Sequence, residues 1–122
     1  MINTDNVKAL ADFLIQNKLT ISVAESCTGG SLASTLTSLS GASVYFDRGF
    51  VTYSNKAKQD LLSVNKDTIT KYGAVSEEVA LEMINGVIKN STSDFALAIT
   101  GIAGPSGGTT TKPVGMVCFG FS

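Results

Sequence analysis

The chain has no histidine and no tryptophan. Without imidazole it cannot build a Ser-His-Asp or Cys-His nucleophile system from its own residues, nor the common histidine-based zinc sites. Proton transfer near neutral pH falls to lysine, tyrosine, a carboxylate or a cysteine of altered pKa. Cysteine is scarce too. Cys27 and Cys118 form no C-x-x-C pair, which excludes a zinc ribbon or a thioredoxin-type motif. Two buried, reduced thiols in a cytosolic protein are the expectation. Charge is thin: 16% of 122 residues, with a net charge of −1. That offers neither a basic surface for nucleic acid nor an acidic tail. No run approaches the ~18 apolar residues of a membrane span, and the N-terminus opens polar, without a basic leader. A cytoplasmic protein with no nucleic-acid or membrane partner is expected.

What the chain does have is apolar material, 43% hydrophobic residues and 12 glycines, enough for one core at this length. Val7, Leu10, Phe13 and Leu14 recur at helical spacing between Asp5 and Asn17, with Thr4 placed as N-cap. Residues 19–24 alternate with period two and predict a strand. Leu32, Leu36 and Leu39 predict a helix from Gly30 to Ser40, closed by Gly41. Phe50-Val51-Thr52-Tyr53 predicts a second strand, and Asn55 is placed to cap a short helix through Lys58 and Leu62. Another helical turn is expected over 66–72. Ser76 caps a helix whose first turn carries Glu77 and Glu78 and whose apolar face is Val79, Ala80, Met83, Ile84 and Val87. Phe95–Ile99, a continuous apolar run, predicts a strand covered on both faces. A last strand is expected from about Val114 to Phe121. Helices alternating with apolar strands predict an α/β sandwich around a largely parallel sheet. Both faces of the last strand are apolar and nothing follows Ser122, so cover by self-association, most simply a twofold dimer, is expected.

Three polar clusters fall at the carboxyl ends of predicted strands, where α/β proteins gather ligands. Glu25-Ser26-Cys27-Thr28-Gly29-Gly30 is a strand-to-helix turn whose free amides suit an anion or oxyanion. Ala24 takes the place of the first glycine of a G-x-S-x-G elbow. In the second cluster, Tyr53 to Lys58, a desolvated lysine beside a serine can serve as its base. Lys56 and Lys58 lie roughly 200° apart around a helix, so only one can face a pocket. The third, Thr100 to Gly108, holds four glycines but lacks the Gly-Lys-Ser/Thr ending of a Walker A loop. Taken singly, a helix cap, solvated surface lysines and an ordinary connection are the competing readings.

Taken together they are more specific. Ala24-Glu25-Ser26-Cys27-Thr28-Gly29-Gly30, Gly41-Ala42-Ser43, Gly49 to Asn55 with Lys58, Gly73-Ala74-Val75-Ser76, Thr100 to Pro105 and Lys112-Pro113-Val114-Gly115 closely resemble the CinA C-terminal-domain family. The resemblance covers nearly the whole chain, in order. It implies one three-layer α/β/α domain over residues 1–122 with a mixed, largely parallel sheet. It also implies hydrolysis of nicotinamide mononucleotide, a pyridine mononucleotide, to nicotinic acid mononucleotide and ammonia. Carried over by motif, Ser26 is the nucleophile, Lys58 its base and Tyr53 a relay or positioning group. Glu25, Cys27, Thr28, Gly29, Gly30, Thr100, Gly101, Ala103 and Gly104 line the substrate site. No metal or other cofactor is called for. The oxyanion falls to the amides of 27–30 or to those of 101–108. Family members continue beyond the last strand with a further strand and helix that this chain lacks, so a non-catalytic nucleotide-binding or interaction domain is the alternative.

Overall fold

The computed structural model describes residues 4–122, with residues 119–121 described by their backbone alone. The polar opening at residues 1–3 and the expected facing of side chains 119–121 lie outside the described residues. Helix α1 spans Thr4–Gln16, so Thr4 lies inside the helix it was expected to cap. Strand β1, Ile21–Glu25, follows, then α2 at Ser31–Leu36. The α2 helix stops well before Ser40 because its hydroxyls turn on the backbone. Thr35, Thr37 and Ser38 donate to the carbonyls of Ser31, Ala33 and Thr35, respectively, and such local bonds compete with helix propagation.

A single 3₁₀ turn, Ala42–Val44, leads into β2, Phe46–Val51. This strand starts four residues earlier than predicted and ends before Thr52 and Tyr53. Asp47, Arg48 and Gly49 are exposed on it, a polar run that edge strands tolerate and that hides them from a hydrophobicity reading. Thr52 and Tyr53 instead form the turn into α3, Asn55–Leu62, whose N-cap is Ser54, not Asn55: Ser54 Oγ accepts from the Ala57 amide. Helix α4 is Lys66–Tyr72, and α5, Glu77–Lys89, is capped by Ser76 as expected. Strand β3 runs Phe95–Gly101 and β4 Val117–Phe121. The last strand starts at Val117 rather than Val114 because Val114 and Gly115 form a turn, with the Gly115 amide donating to Ile102 and that of Met116 to Pro113.

The sheet order is β2-β1-β3-β4, with β1, β2 and β3 parallel and β4 antiparallel to β3. Pairing of Ile21 with Phe95 and of Ala24 with Ala98 sets the register, and strand alternation then divides the core. Ile21, Phe95 and Leu97 pack with Ala11 and Leu14 of α1 and with Tyr45. Ala24, Ala96 and Ala98 face the opposite side, against Val79, Met83 and Val87 of α5 and Leu62 of α3. The result is the three-layer α/β/α sandwich with a mixed sheet. β3 is fully covered only on the α5 side. Towards α1, Phe95 and Leu97 stay half-buried beside Phe13, which is 48% exposed.

Alanines on the sheet let α5 approach closely, and the same tightness recurs between α5 and α3. A Cβ at Gly86 would sit 2.6 Å from Leu62 Cβ, 2.7 Å from its Cα and closer still to its carbonyl oxygen. On helix propensity alone, alanine would stabilise this position by about 1 kcal/mol. Overpacking against backbone costs typically 1–3 kcal/mol and wins here. Gly86→Ala is therefore expected to lower the urea midpoint of unfolding; an unchanged or raised midpoint would show that α3 yields freely.

Candidate active site

Strand alternation places the two neighbouring polar residues at the end of β1 on opposite sides of the sheet. Glu25, on the side of Ile21, is 1% exposed, and its carboxylate accepts from the Leu32 amide at 2.8 Å and the Ala33 amide at 2.9 Å. Ser26 continues the side of Ala24, towards α3. Its amide donates to Ile99, tying it to β3, while the Thr52 amide donates to the Glu25 carbonyl from the β2 side. Gly29 and Gly30, at φ +58° and +106°, reverse the chain between Ser26 and α2. A side chain is strained in that conformation.

Lys58 comes up from the first turns of α3. It is 1% exposed, and its Nζ lies 3.1 Å from Ser26 Oγ, 3.1 Å from the Thr52 carbonyl and 3.2 Å from the Tyr53 carbonyl. Among the described residues no carboxylate pairs with it. Burial pushes its pKa below the usual lysine value of 10.5, opposed by attraction to the Cys27 sulfur. Lys56, on the other side of the helix, is solvent-exposed and paired with Asp60. With two carbonyls taking two of its hydrogens, a neutral Lys58 amine turns its lone pair to the Ser26 hydroxyl. That is the geometry of a general base on an alcohol nucleophile.

The rest of the expected site divides. Tyr53 reaches Lys58 and, at 3.5 Å, Ser26 through its carbonyl oxygen. The residue is 65% exposed, and among the described residues its phenol bonds to neither, so the geometry gives no phenol relay. Glu25 is consumed by α2, and Thr100, 1% exposed, spends its hydroxyl on the Ala74 carbonyl; neither presents a side chain to a ligand. Gly101 lies against the Cys27 sulfur and against Val117. Ala103 is exposed, and Gly104 packs on Val114 in a loop held by its own main-chain bonds. Cys27 is half-buried, and burial holds its thiol above the usual range, outweighing its own amide, Lys58 and the Thr28 amide, which favour the thiolate. It is thus a poor competitor to Ser26 as nucleophile. Thr28 Oγ1 is buried and, among the described residues, without a partner. Sequence reasoning missed Thr52, whose contribution is a carbonyl oxygen and so leaves no trace in residue type. Beyond Val117 opens a cavity of about 670 Å³ lined in part by Lys71, Tyr72, Val75, Lys112 and Cys118.

The fold defines an α/β domain with a buried serine–lysine pair at the strand-to-helix turn that follows β1. The family model of the CinA C-terminal domain matches residues 3–122, and the chain belongs to that family. It is 54% identical over 112 residues to a CinA-like protein of Chlorobium chlorochromatii and 51% identical over 113 residues to a putative competence-damage inducible protein of Caldicellulosiruptor saccharolyticus. Those matches cover 92% and 93% of this chain but 26% and 28% of the relatives, so the chain spans about a quarter of their length. Among solved structures, a competence/damage inducible protein of Agrobacterium tumefaciens superposes with TM-score 0.94 at 46% identity, covering 97% of this chain and 72% of that one. A CinA superfamily protein of Escherichia coli gives 0.91 at 42%, covering 98% and 70%.

The buried amine has a consequence for stability. Lys58 releases its proton in the folded state at a lower pH than in the unfolded chain. Between that folded value and 10.5 the unfolded state binds more protons, so this group makes stability rise with pH; below both values the full cost of the buried ammonium is present. The unfolding free energy of the wild type minus that of Lys58→Met is expected to increase from neutral pH towards 10.5. A flat or falling difference would contradict burial as the dominant influence.

Proposed function

We propose that this chain is a serine–lysine amidohydrolase domain acting on nicotinamide mononucleotide. The observation that carries the reading is the 3.1 Å approach of a buried Lys58, without a carboxylate partner among the described residues, to Ser26 at a strand-to-helix elbow. Neutral Lys58 takes the Ser26 proton as Oγ adds to the carboxamide carbon. The resulting Lys58 ammonium returns that proton to the departing NH₂ group, and ammonia leaves an acyl ester on Ser26. Water then attacks the ester, its proton passes to Lys58 and on to Ser26 Oγ, and nicotinic acid mononucleotide is released. In acylation Lys58 carries one proton from Ser26 to the leaving NH₂, in deacylation one from water to Ser26 Oγ, and the overall balance is amide plus water to acid plus ammonia.

The elbow supplies a group that developing charge needs. Among the described residues the Gly30 amide has no acceptor of its own, and it is the proposed contact to the carboxamide oxyanion. The exposed Tyr53 ring is assigned to the pyridinium, whose positive charge suits an aromatic face. The cavity next to Val117 has room for the ribose phosphate; Lys71 and Lys112 line it together with Glu77 and Glu78, and Lys112 Nζ donates to the Tyr72 carbonyl, so Lys71 is the proposed contact to the phosphate. A role in binding alone leaves unexplained why a lysine is buried against a serine hydroxyl without a carboxylate.

Ammonia release from nicotinamide mononucleotide is the test. Ser26→Ala removes the nucleophile, and Lys58→Met the base. Each is expected to reduce kcat by at least about 10³-fold, as loss of a member of a nucleophile–base unit does, with folding retained. Turnover within tenfold of wild type in Ser26→Ala would overturn the covalent route.

A further inference from the structure

The residue before the nucleophile carries a charge that the proposed chemistry does not use. We infer that Glu25 is the positioning residue of the site: its carboxylate, bridging the amides of Leu32 and Ala33, sets the elbow that holds Ser26 against Lys58. The inference rests on the reading of Ser26 as nucleophile.

The argument begins with what α2 cannot do for itself. A helix start leaves amides without partners, and a Ser, Thr, Asp or Asn at the N-cap usually takes one of them. The N-cap here is Gly30 at φ +106°, a conformation that side chains avoid, and it provides no side-chain cap. Gly29, at φ +58°, is under the same constraint. The turn that carries Ser26, itself 6% exposed, therefore excludes a local cap. Glu25 supplies it from the end of β1, with two short bonds to successive amides and 1% exposure. Among the described residues it has no cationic partner, so the helix start compensates its charge.

Geometrically the carboxylate is a clasp. It fixes the distance between residue 25 and residues 32–33, and the six residues between them, including Ser26 and Thr28, must close within that span. The Glu25 main chain is held as well, its carbonyl accepting from Thr52, the residue whose own carbonyl binds Lys58 Nζ. One residue thus anchors the nucleophile's turn through its side chain and the base's acceptor through its backbone. Slackening the clasp leaves Ser26 and Lys58 chemically intact but misplaced, and a misplacement of about 1 Å can cost 10²-fold in rate.

The variants are Glu25→Gln, which sets an NH₂ donor against one of the two amides, and Glu25→Asp, which keeps the charge but shortens its reach. Read on each are the thermal midpoint, kcat and KM for nicotinamide mononucleotide across pH, and the rate at which a small fluorophosphonate labels Ser26. Expected are a folded protein, labelling and kcat down by about 10²-fold, KM within about threefold of wild type, and the pH dependence set by Lys58 unmoved. A Glu25→Gln or Glu25→Asp protein that folds and labels at the wild-type rate would overturn the inference, as would a wild type in which Ser26 is not labelled. Labelling that falls with Glu25 in a chain inert to nicotinamide mononucleotide would uphold the clasp and reject the substrate instead. If Glu25→Gln does not fold, Glu25→Asp decides.

Discussion

A lysine buried against a serine, with no carboxylate beside it among the described residues, is the constraint around which this domain is arranged. The ion pairs among the described residues, Lys8–Asp12, Asp47–Arg48 and Lys56–Asp60, involve exposed or half-exposed side chains, a kind that contributes little to stability. Lys58 is treated differently. A carboxylate partner would favour the ammonium and remove the base; two main-chain carbonyls orient the amine while leaving it free to lose its proton. Glu25, one residue from Ser26, would be such a partner if strand alternation did not send it to the other side of the sheet, where the α2 amides take up its charge. The separation of acid from base is thus a property of the pleat.

The surrounding architecture serves the same end. Parallel β1 and β2 end together, so that the turns following them, 26–30 and 52–54, stand side by side, and α3 rises from the second to deliver Lys58. The alanine face of β1 and β3 allows α5 to pack close, with Gly86 fitted against Leu62, and so holds α3 from behind. Strand β4 lies beyond β3, and its first residue, Val117, lies against the same glycine as Cys27 and lines the cavity of about 670 Å³.

Much of this was legible in the sequence where side-chain type carries the information. Period-two and helical spacing located α1, β1 and α5, a continuous apolar run located β3, and the order of elements gave the α/β class. The motifs around Ser26 and Lys58 gave the family, and the helical angle between positions 56 and 58 separated the solvated lysine from one that faces inward. What was not legible rests on the backbone. The Thr52 and Tyr53 carbonyls that seat Lys58 are independent of residue type, so a phenol was expected where a carbonyl acts. Glu25 and Thr100, polar residues beside a site, were read as ligand contacts, although their partners are amides and a carbonyl supplied by distant turns. The early start of β2 was masked by the charges of an edge strand, and the early end of α2 by hydroxyls that turn inward on their own helix.

The central claim is that Lys58 is held ready to be neutral, and it is a statement about one proton. The most direct measurement is the ¹³Cε chemical shift of Lys58, assigned by comparison with Lys58→Met and followed through an alkaline titration of the folded protein. The account predicts a midpoint clearly below the 10.5 of a solvated lysine. A Lys58 midpoint at or above 10.5 would mean that the amine is an ammonium throughout the working range, and would contradict its role as the base for Ser26.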